Sequence, residues 1–258
     1  MSLNENINAG VFSEVQTHLS EIERQHNVTV IQAIESGSRA WGFPSPDSDY
    51  DVRFVYAHPK DWYISLYDKR DVIELPINAE LDIAGWDLRK ALQLANNANA
   101  VIQEWVTSPI VYKQSAQHST LADLVSRAFN PLGSYHHYRS MAKKAYFDIQ
   151  NSDKKKLKRF FYFARATLSA KWIAEKQSMP DIVFINVLRD LFNNTEIVQD
   201  VTDLITQKSR ESERSSLEVP PNIYHFFECM YHSLDEVVLV EKKPSLISDE
   251  GLLELLNQ

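Results

Sequence analysis

"ESGSRAWGFPSPDSDYDVRFVY", residues 35–56, decides how this chain is read. It follows a short β-branched run, "NVTVIQAI" (27–34), and it ends in a second apolar run. Between them lie Gly37-Ser38, a further glycine at Gly42, and acids at Asp47, Asp49 and Asp51. "YDVRFVYA" (50–57) alternates apolar and polar residues and predicts a strand. Side chains on a strand alternate faces, so Asp49 and Asp51 point the same way. Two carboxylates that close repel unless a cation lies between them. Mg²⁺ takes oxygen ligands and keeps positions open for water and phosphate. Gly37 lets backbone approach a phosphate, Ser38 offers a hydroxyl, Arg39 adds charge, and Gly42 relieves the turn.

A two-metal site needs a third carboxylate. "AELDIAGW" (79–86) predicts a strand with Glu80 and Asp82 on one face, opposite Leu81 and Ile83. Asp82, between two apolar residues, is the better candidate, with Glu80 the alternative. Asp-Ser-Asp alone is ordinary turn chemistry. The five positions Gly37, Ser38, Gly42, Asp49 and Asp51 together match by chance about once in a million starts at average residue usage.

Around this centre, "VFSEVQTHLSEIERQ" (11–25) carries Val11, Val15, Leu19 and Ile22 at helical spacing, and "DVIELPI" (71–77) predicts a strand weakened by Pro76. Asp87 is placed to cap a helix running through "DLRKALQLANNANAVIQEWV". From about residue 116 the texture is helical: "STLADLVSRAF" with a serine cap, "YHHYRSMAKKAYFDIQ", "SDKKKLKRFFYFARATLSAKWIAEKQ", "DIVFINVLRDLF", and a last segment broken at Pro220-Pro221. This divides the chain into an α/β half, 1–115, and a helical half, 116–258.

The net charge of −8 excludes nonspecific coating of nucleic acid, so a polyanionic ligand needs metal ions or a local basic patch. No apolar run reaches the length of a membrane span, and the start, "MSLNENINAG", lacks the pattern of a secretory signal. With Cys229 as the single cysteine, the expected compartment is the cytoplasm.

"GSRAWGFPSPDSDYDVRFVY" resembles the signature of the DNA polymerase β-like nucleotidyltransferases: Gly-Ser, a nearby Gly, then Ser48-Asp49-Tyr50-Asp51 before an apolar strand. Asp82 matches the place of the family's third acid. Within that superfamily the chain is most similar to the RlaP-type, RNA-repair-associated branch. That likeness rests on "NAVIQEWVTSPIVY", "HHYRSMAKKAY" and "KKLKRFFYFARATLSAKWI" and covers roughly residues 30–190. The resemblance implies an α+β fold: a mixed sheet with flanking helices, then a helical domain closing one side of a cleft. It implies an NTP substrate and two Mg²⁺ ions, for which Mn²⁺ can stand in. Asp49 and Asp51 would bind both metals, Asp82 the catalytic one, and Ser38 the terminal phosphates. Trp41 and Asp47 depart from the usual pattern without removing a ligand.

On the long basic helix, Leu157, Phe161, Ala164, Leu168 and Trp172 form an apolar stripe, and Lys158, Tyr162, Arg165 and Ser169 an adjacent one. Lys154–Lys156 read as a solvated extension. Arg165, deep among aromatic residues, needs an anion, either a structural carboxylate or a triphosphate. Lys158 and Tyr162 are placed to meet phosphate and base or sugar. His136 and His137 do not face each other and are not a metal pair. Trp62, Trp86 and Trp105 read as core, and Cys229 as a buried thiol. The expected activity is transfer of an NMP to an acceptor hydroxyl on RNA, protein or a small molecule, without a membrane. An NTP sensor without turnover and a toxin-system enzyme adding AMP to a partner protein are the competing readings.

Overall fold

The computed structural model describes residues 7–77, 80–151, 157–193, 196–212, 217–239 and 245–258. The chain separates into two compact units. One comprises Met1–Ala40, Asp49–Phe129 and Pro244–Gln258; the other comprises Trp41–Ser48 and Asn130–Lys243.

The first unit is built on a mixed five-stranded sheet. Its strands are β1 (Thr29–Glu35), β2 (Tyr50–Ala57), β3 (Val72–Glu74), β4 (Leu81–Asp87) and β5 (Val111–Gln114). Their spatial order is β3-β4-β2-β1-β5. β2 and β4 run parallel, with Asp51 opposite Asp82, and the other pairs are antiparallel. β2 spans the predicted residues. β5 is too short, at four residues, to announce itself by periodicity.

Both faces of the sheet are covered. Helix α1 (Ala9–His26) buries Val15, Leu19 and Ile22, the expected apolar spacing. These residues pack with Val52, Phe54 and Tyr56 of β2 and Leu81 and Ile83 of β4. The other face takes Val55 and Ala57 of β2 beneath α4 (Leu88–Asn96), α5 (Ala100–Thr107), α6 (His118–Arg127) and α12 (Asp249–Leu256). A bulge in β1 between Val30 and Gln32 shifts its parity, so Val30 and Ala33 serve the first face while Ile31 and Ile34 serve the second. Gly85 lets Phe54 lie across β4, because a Cβ there would fall 2.2 Å from the ring. Each fully buried side chain of this size stabilises the fold by roughly 1.5–3 kcal/mol.

Local signals held at several ends and failed at others. Asp87 caps α4 by accepting from the Arg89 amide at 2.8 Å. The single helix expected after it is two helices, because Ala98 adopts φ +57° and Asn99 caps a new start. α6 begins at His118 after Gln117, with no side-chain cap hydrogen bond, in place of the expected serine cap. α6 and α12 pack on the sheet core, so the contacts group the chain up to Phe129 and its C-terminal segment with the sheet.

The second unit is helical. It contains α7 (Pro131–Gln150), α8 (Leu157–Lys176), α9 (Phe184–Phe192), α10 (Glu196–Lys208) and α11 (Pro221–Ser233). On α8, Phe161, Ala164 and Leu168 are fully buried as the apolar stripe requires. The adjacent stripe changes character along the helix: Lys158 and Tyr162 are exposed, Arg165 and Ser169 buried. Lys154–Lys156 lie outside the described residues. Cys229 is exposed, not buried. α11 buries Ile223, Tyr224, Phe227 and Met230, and Cys229 falls on its other side. Among the described residues no helix is long and apolar enough to cross a membrane.

Candidate active site

One face of β2 and β4 changes from charged to apolar along the strands. At the apolar end Val55, Ala57 and Trp86 pack on the helices. At the other end stand Asp51, Arg53 and Asp82. Parallel pairing puts Asp51 beside Asp82. Arg53, two residues along and so on the same face, donates from Nη2 to Asp51 Oδ1 at 3.2 Å and to Asp82 Oδ2 at 2.7 Å. Its Nη1 donates to the Asp82 carbonyl at 2.8 Å. Two unit charges 4 Å apart interact by about 4 kcal/mol at an effective dielectric of 20. Two attractions to Arg53 therefore outweigh one repulsion between the acids.

Gly37 presses against Asp51 from below. It has φ +64°, and a Cβ built there would stand 2.0 Å from Asp51 Oδ2. The adjoining Ser36 amide donates to the Asp51 carbonyl at 2.8 Å. The glycine of the Gly-Ser pair is thus required by the carboxylate beside it, as well as by its backbone conformation. Ser38 and Arg39 follow in the single turn α2 (Gly37–Ala40), the counterpart of a second single turn after β2, α3 (Lys60–Tyr63). Arg39 packs its guanidinium on the Tyr50 ring at 3.8 Å and donates from Nε to the Asp49 carbonyl at 3.3 Å. It therefore fixes the approach to β2 that carries Asp49.

Asp49 is exposed just before β2, and Asp47 is exposed in the preceding turn. Asp82 is the second residue of β4, between the buried Leu81 and Ile83, and Glu80 is exposed ahead of it. Among the described residues no three His, Cys, Asp or Glu side chains are gathered closely enough to enclose a metal ion. Asp51 and Asp82 are brought together; Asp49 is not drawn into a three-acid cluster with them. The chemistry of the donors still fits a hard divalent cation: carboxylate oxygens only, already drawn to one positive group.

Two residues of this region were missed in the sequence. Arg53 was legible by parity, since it lies two residues from Asp51. Glu35 was not. It is fully buried at the end of β1, where its Oε1 accepts from the Asp51 amide at 3.0 Å and its Oε2 accepts from the Tyr112 hydroxyl at 2.6 Å. Burial pushes its carboxyl up to about 7, against the two hydrogen bonds that lower it. Between its unfolded value of 4.5 and about 7, the folded chain holds a proton that the unfolded chain has lost. Stability is therefore fullest below that window and falls as pH rises through it, by about 3 kcal/mol in all. Glu35→Gln mimics the protonated group. Its urea midpoint in EDTA should vary much less between pH 5 and pH 8 than that of the parent chain, which should weaken toward pH 8.

The segment Trp41–Ser48, between the two parts of the motif, is counted with the helical unit. Phe43 stacks on Phe161 at 4.8 Å, and the Trp41 carbonyl accepts from the Phe184 amide at 3.0 Å. The buried Lys208 donates from Nζ to the Phe43 carbonyl and the Ser45 hydroxyl, each at 2.8 Å. Trp41 meets the edge of Tyr162 and carries the Arg165 guanidinium 3.8 Å from its ring centre. Tyr138 lies 5.9 Å from the same guanidinium. Arg165 thus has aromatic faces around it, which are worth up to about 2 kcal/mol to a desolvated cation. Lys158, Tyr162 and Arg165 all belong to the helical unit, and Gly37, Ser38, Arg39, Asp49, Asp51 and Asp82 to the sheet unit.

The chain superposes on the crystal structure of a nucleotidyltransferase-like protein from Exiguobacterium sibiricum 255-15 with a TM-score of 0.34 and 13% identity, over 88% of this chain and 74% of that one. It is 40% identical over 210 residues to the uncharacterized protein YcgL of Bacillus subtilis (strain 168), covering 81% of this chain and 80% of the relative. The family model described as RlaP, RNA repair pathway DNA polymerase beta family, matches residues 11–252. A match over nearly the whole chain places it plainly: this protein belongs to the RlaP family, the RNA repair pathway DNA polymerase beta family.

Proposed function

We propose that the protein transfers an NMP from an NTP to an acceptor hydroxyl, releasing pyrophosphate. The observation that carries this reading is the pairing of Asp51 with Asp82 on adjacent parallel strands, with Gly37 directly against the Asp51 carboxylate. Asp49, Asp51 and Asp82 would hold Mg²⁺, or Mn²⁺ in its place. The metal ions, when bound, would neutralise phosphate charge and make the acceptor hydroxyl more acidic.

The chain's own groups supply placement. Asp82 accepts the proton of the attacking hydroxyl, and Arg53 keeps Asp82 and Asp51 aligned before substrate arrives. Ser38 donates its hydroxyl to the distal phosphates. Arg39, held on Tyr50, sets the position of Asp49 and adds positive charge at the same edge. The acceptor oxygen bonds to the α-phosphorus as the bond to the departing pyrophosphate breaks. No covalent enzyme intermediate is required, so the rate comes from positioning and charge. An RNA end is the acceptor we favour, in keeping with the family's description.

The test is to incubate the protein with each α-³²P-labelled NTP, Mg²⁺ and total RNA or cell extract. Label on RNA, with pyrophosphate released, is the expected result. Label on protein would replace the RNA acceptor with a protein one. Tight NTP binding without pyrophosphate release, whatever the acceptor, would mean a sensor and would overturn the transferase reading.

A further inference from the structure

Residues of α7 and α8 in the helical unit line an open cleft of about 570 Å³. That is the size of a small-ligand site. Met141 forms part of its apolar wall, Lys144, Lys158 and Arg159 bring three cations, and Asp148 brings one carboxylate. Tyr162, 38% exposed, gives it an aromatic wall. The positive balance runs against the chain's overall charge of −8.

We propose that this cleft binds a single-stranded polynucleotide, gripping backbone phosphates with Lys144, Lys158 and Arg159 and stacking a base on Tyr162. Three features favour a strand over a free phosphate or a mononucleotide. Lys144 stands on α7 and Lys158 and Arg159 on α8, an arrangement that suits successive phosphates. Phe147, 67% exposed, adds a further aromatic side chain on α7 beside the cleft. Phe147 lies one turn from Lys144, the spacing at which helix side chains are neighbours. Asp148 disfavours a cluster of bare phosphate oxygens but can accept from a base amino group or a sugar hydroxyl. Cations interleaved with aromatic faces are the physical requirement for holding single strands without strict sequence preference.

The inference rests on the transferase reading only in making this strand the acceptor; binding is measured without turnover. Fluorescence anisotropy of a fluorescein-labelled 12-nucleotide RNA, and of the DNA of the same sequence, would be followed with the full chain in EDTA. Saturable binding is expected, weakening with salt at a log–log slope of about −2, the value for three phosphate contacts. Lys144→Glu with Lys158→Glu and Arg159→Glu should weaken it at least tenfold and flatten the slope, with circular dichroism unchanged. Tyr162→Leu should cost about five- to tenfold and Tyr162→Phe little. Lys69→Glu with Arg70→Glu, exposed cations of the sheet unit, should bind as the parent does. Undiminished binding by the triple variant, no saturable binding by the parent, or equal competition by ATP or polyglutamate would each overturn the proposal. Asp51→Ala should still bind the strand. Binding without label transfer therefore removes the transferase reading alone. Transfer with strand binding indifferent to the triple variant removes this one alone.

Discussion

Asp51→Ala should lower nucleotidyl transfer by at least ~10³-fold, the scale of losing a principal electrostatic group of a reaction centre, while leaving the thermal midpoint within about 2 °C. The two halves of this expectation have different origins. Asp51 is half-buried, and its carboxylate gives one attraction to Arg53 and one repulsion from Asp82. Removing it removes both, so little net stability is at stake. The chemistry has no such compensation, because Asp51 is the acid that both Gly37 and Arg53 are arranged around. Asp82→Ala should also abolish turnover but keep NTP binding largely intact, as measured by equilibrium dialysis. A fully active Asp82→Ala protein would pass the role of third acid to Glu80. Full activity in Asp51→Ala would remove this site from the reaction altogether.

Gly37→Ala should be nearly as damaging to transfer, by a different route. The added methyl would lie 2.0 Å from Asp51 Oδ2, 2.9 Å from its Cγ and 3.3 Å from its Cβ. Asp51 is short, so the carboxylate has to leave its place by rotating away from the new methyl. The left-handed conformation at φ +64° adds about 1–2 kcal/mol for any residue with a Cβ. The expected outcome is a loss of transfer of at least ~10²-fold and a fall in thermal midpoint of roughly 5 °C. A double-mutant cycle separates the two terms. In an Asp51→Ala background Gly37→Ala should cost only the backbone penalty, because the atoms it meets most closely are gone. Equal destabilisation in both backgrounds would show that the carboxylate contact has no energetic weight.

What the sequence made legible follows from the range of each signal. The alternation of 50–57 and the spacing of Val15, Leu19 and Ile22 are local, and β2 and α1 stand where they were expected. Gly37, Asp51 and Asp82 were picked out by residue type and spacing. Their juxtaposition rests on strand register, which no single stretch displays. Ala98 at φ +57° broke a helix without the glycine or proline that would have signalled it. Glu35 looked like an ordinary charged residue at a strand end. It is buried because the Asp51 amide and the Tyr112 hydroxyl, 16 and 77 residues away, come to meet it. Cys229 was placed inside by its aromatic neighbours, whereas the helix phase places it outside. The return of the last fifteen residues to the sheet unit is a long-range choice with no local mark.

The anchoring of Trp41–Ser48 bears on how the gene can be cut. Neither unit is a continuous piece of chain, since residues 41–48 leave the first and join the second before β2 begins. A truncation ending near residue 115 or 129 would keep every acid of the motif. It would also strip Trp41 and Phe43 of Tyr162, Phe161 and Phe184, and leave the carbonyl of Phe43 without Lys208. Such a fragment would display two large aromatic side chains to water and self-associate when expressed. A minimal catalytic fragment has therefore to be sought by rebuilding the 41–48 connection with polar residues instead of by deletion.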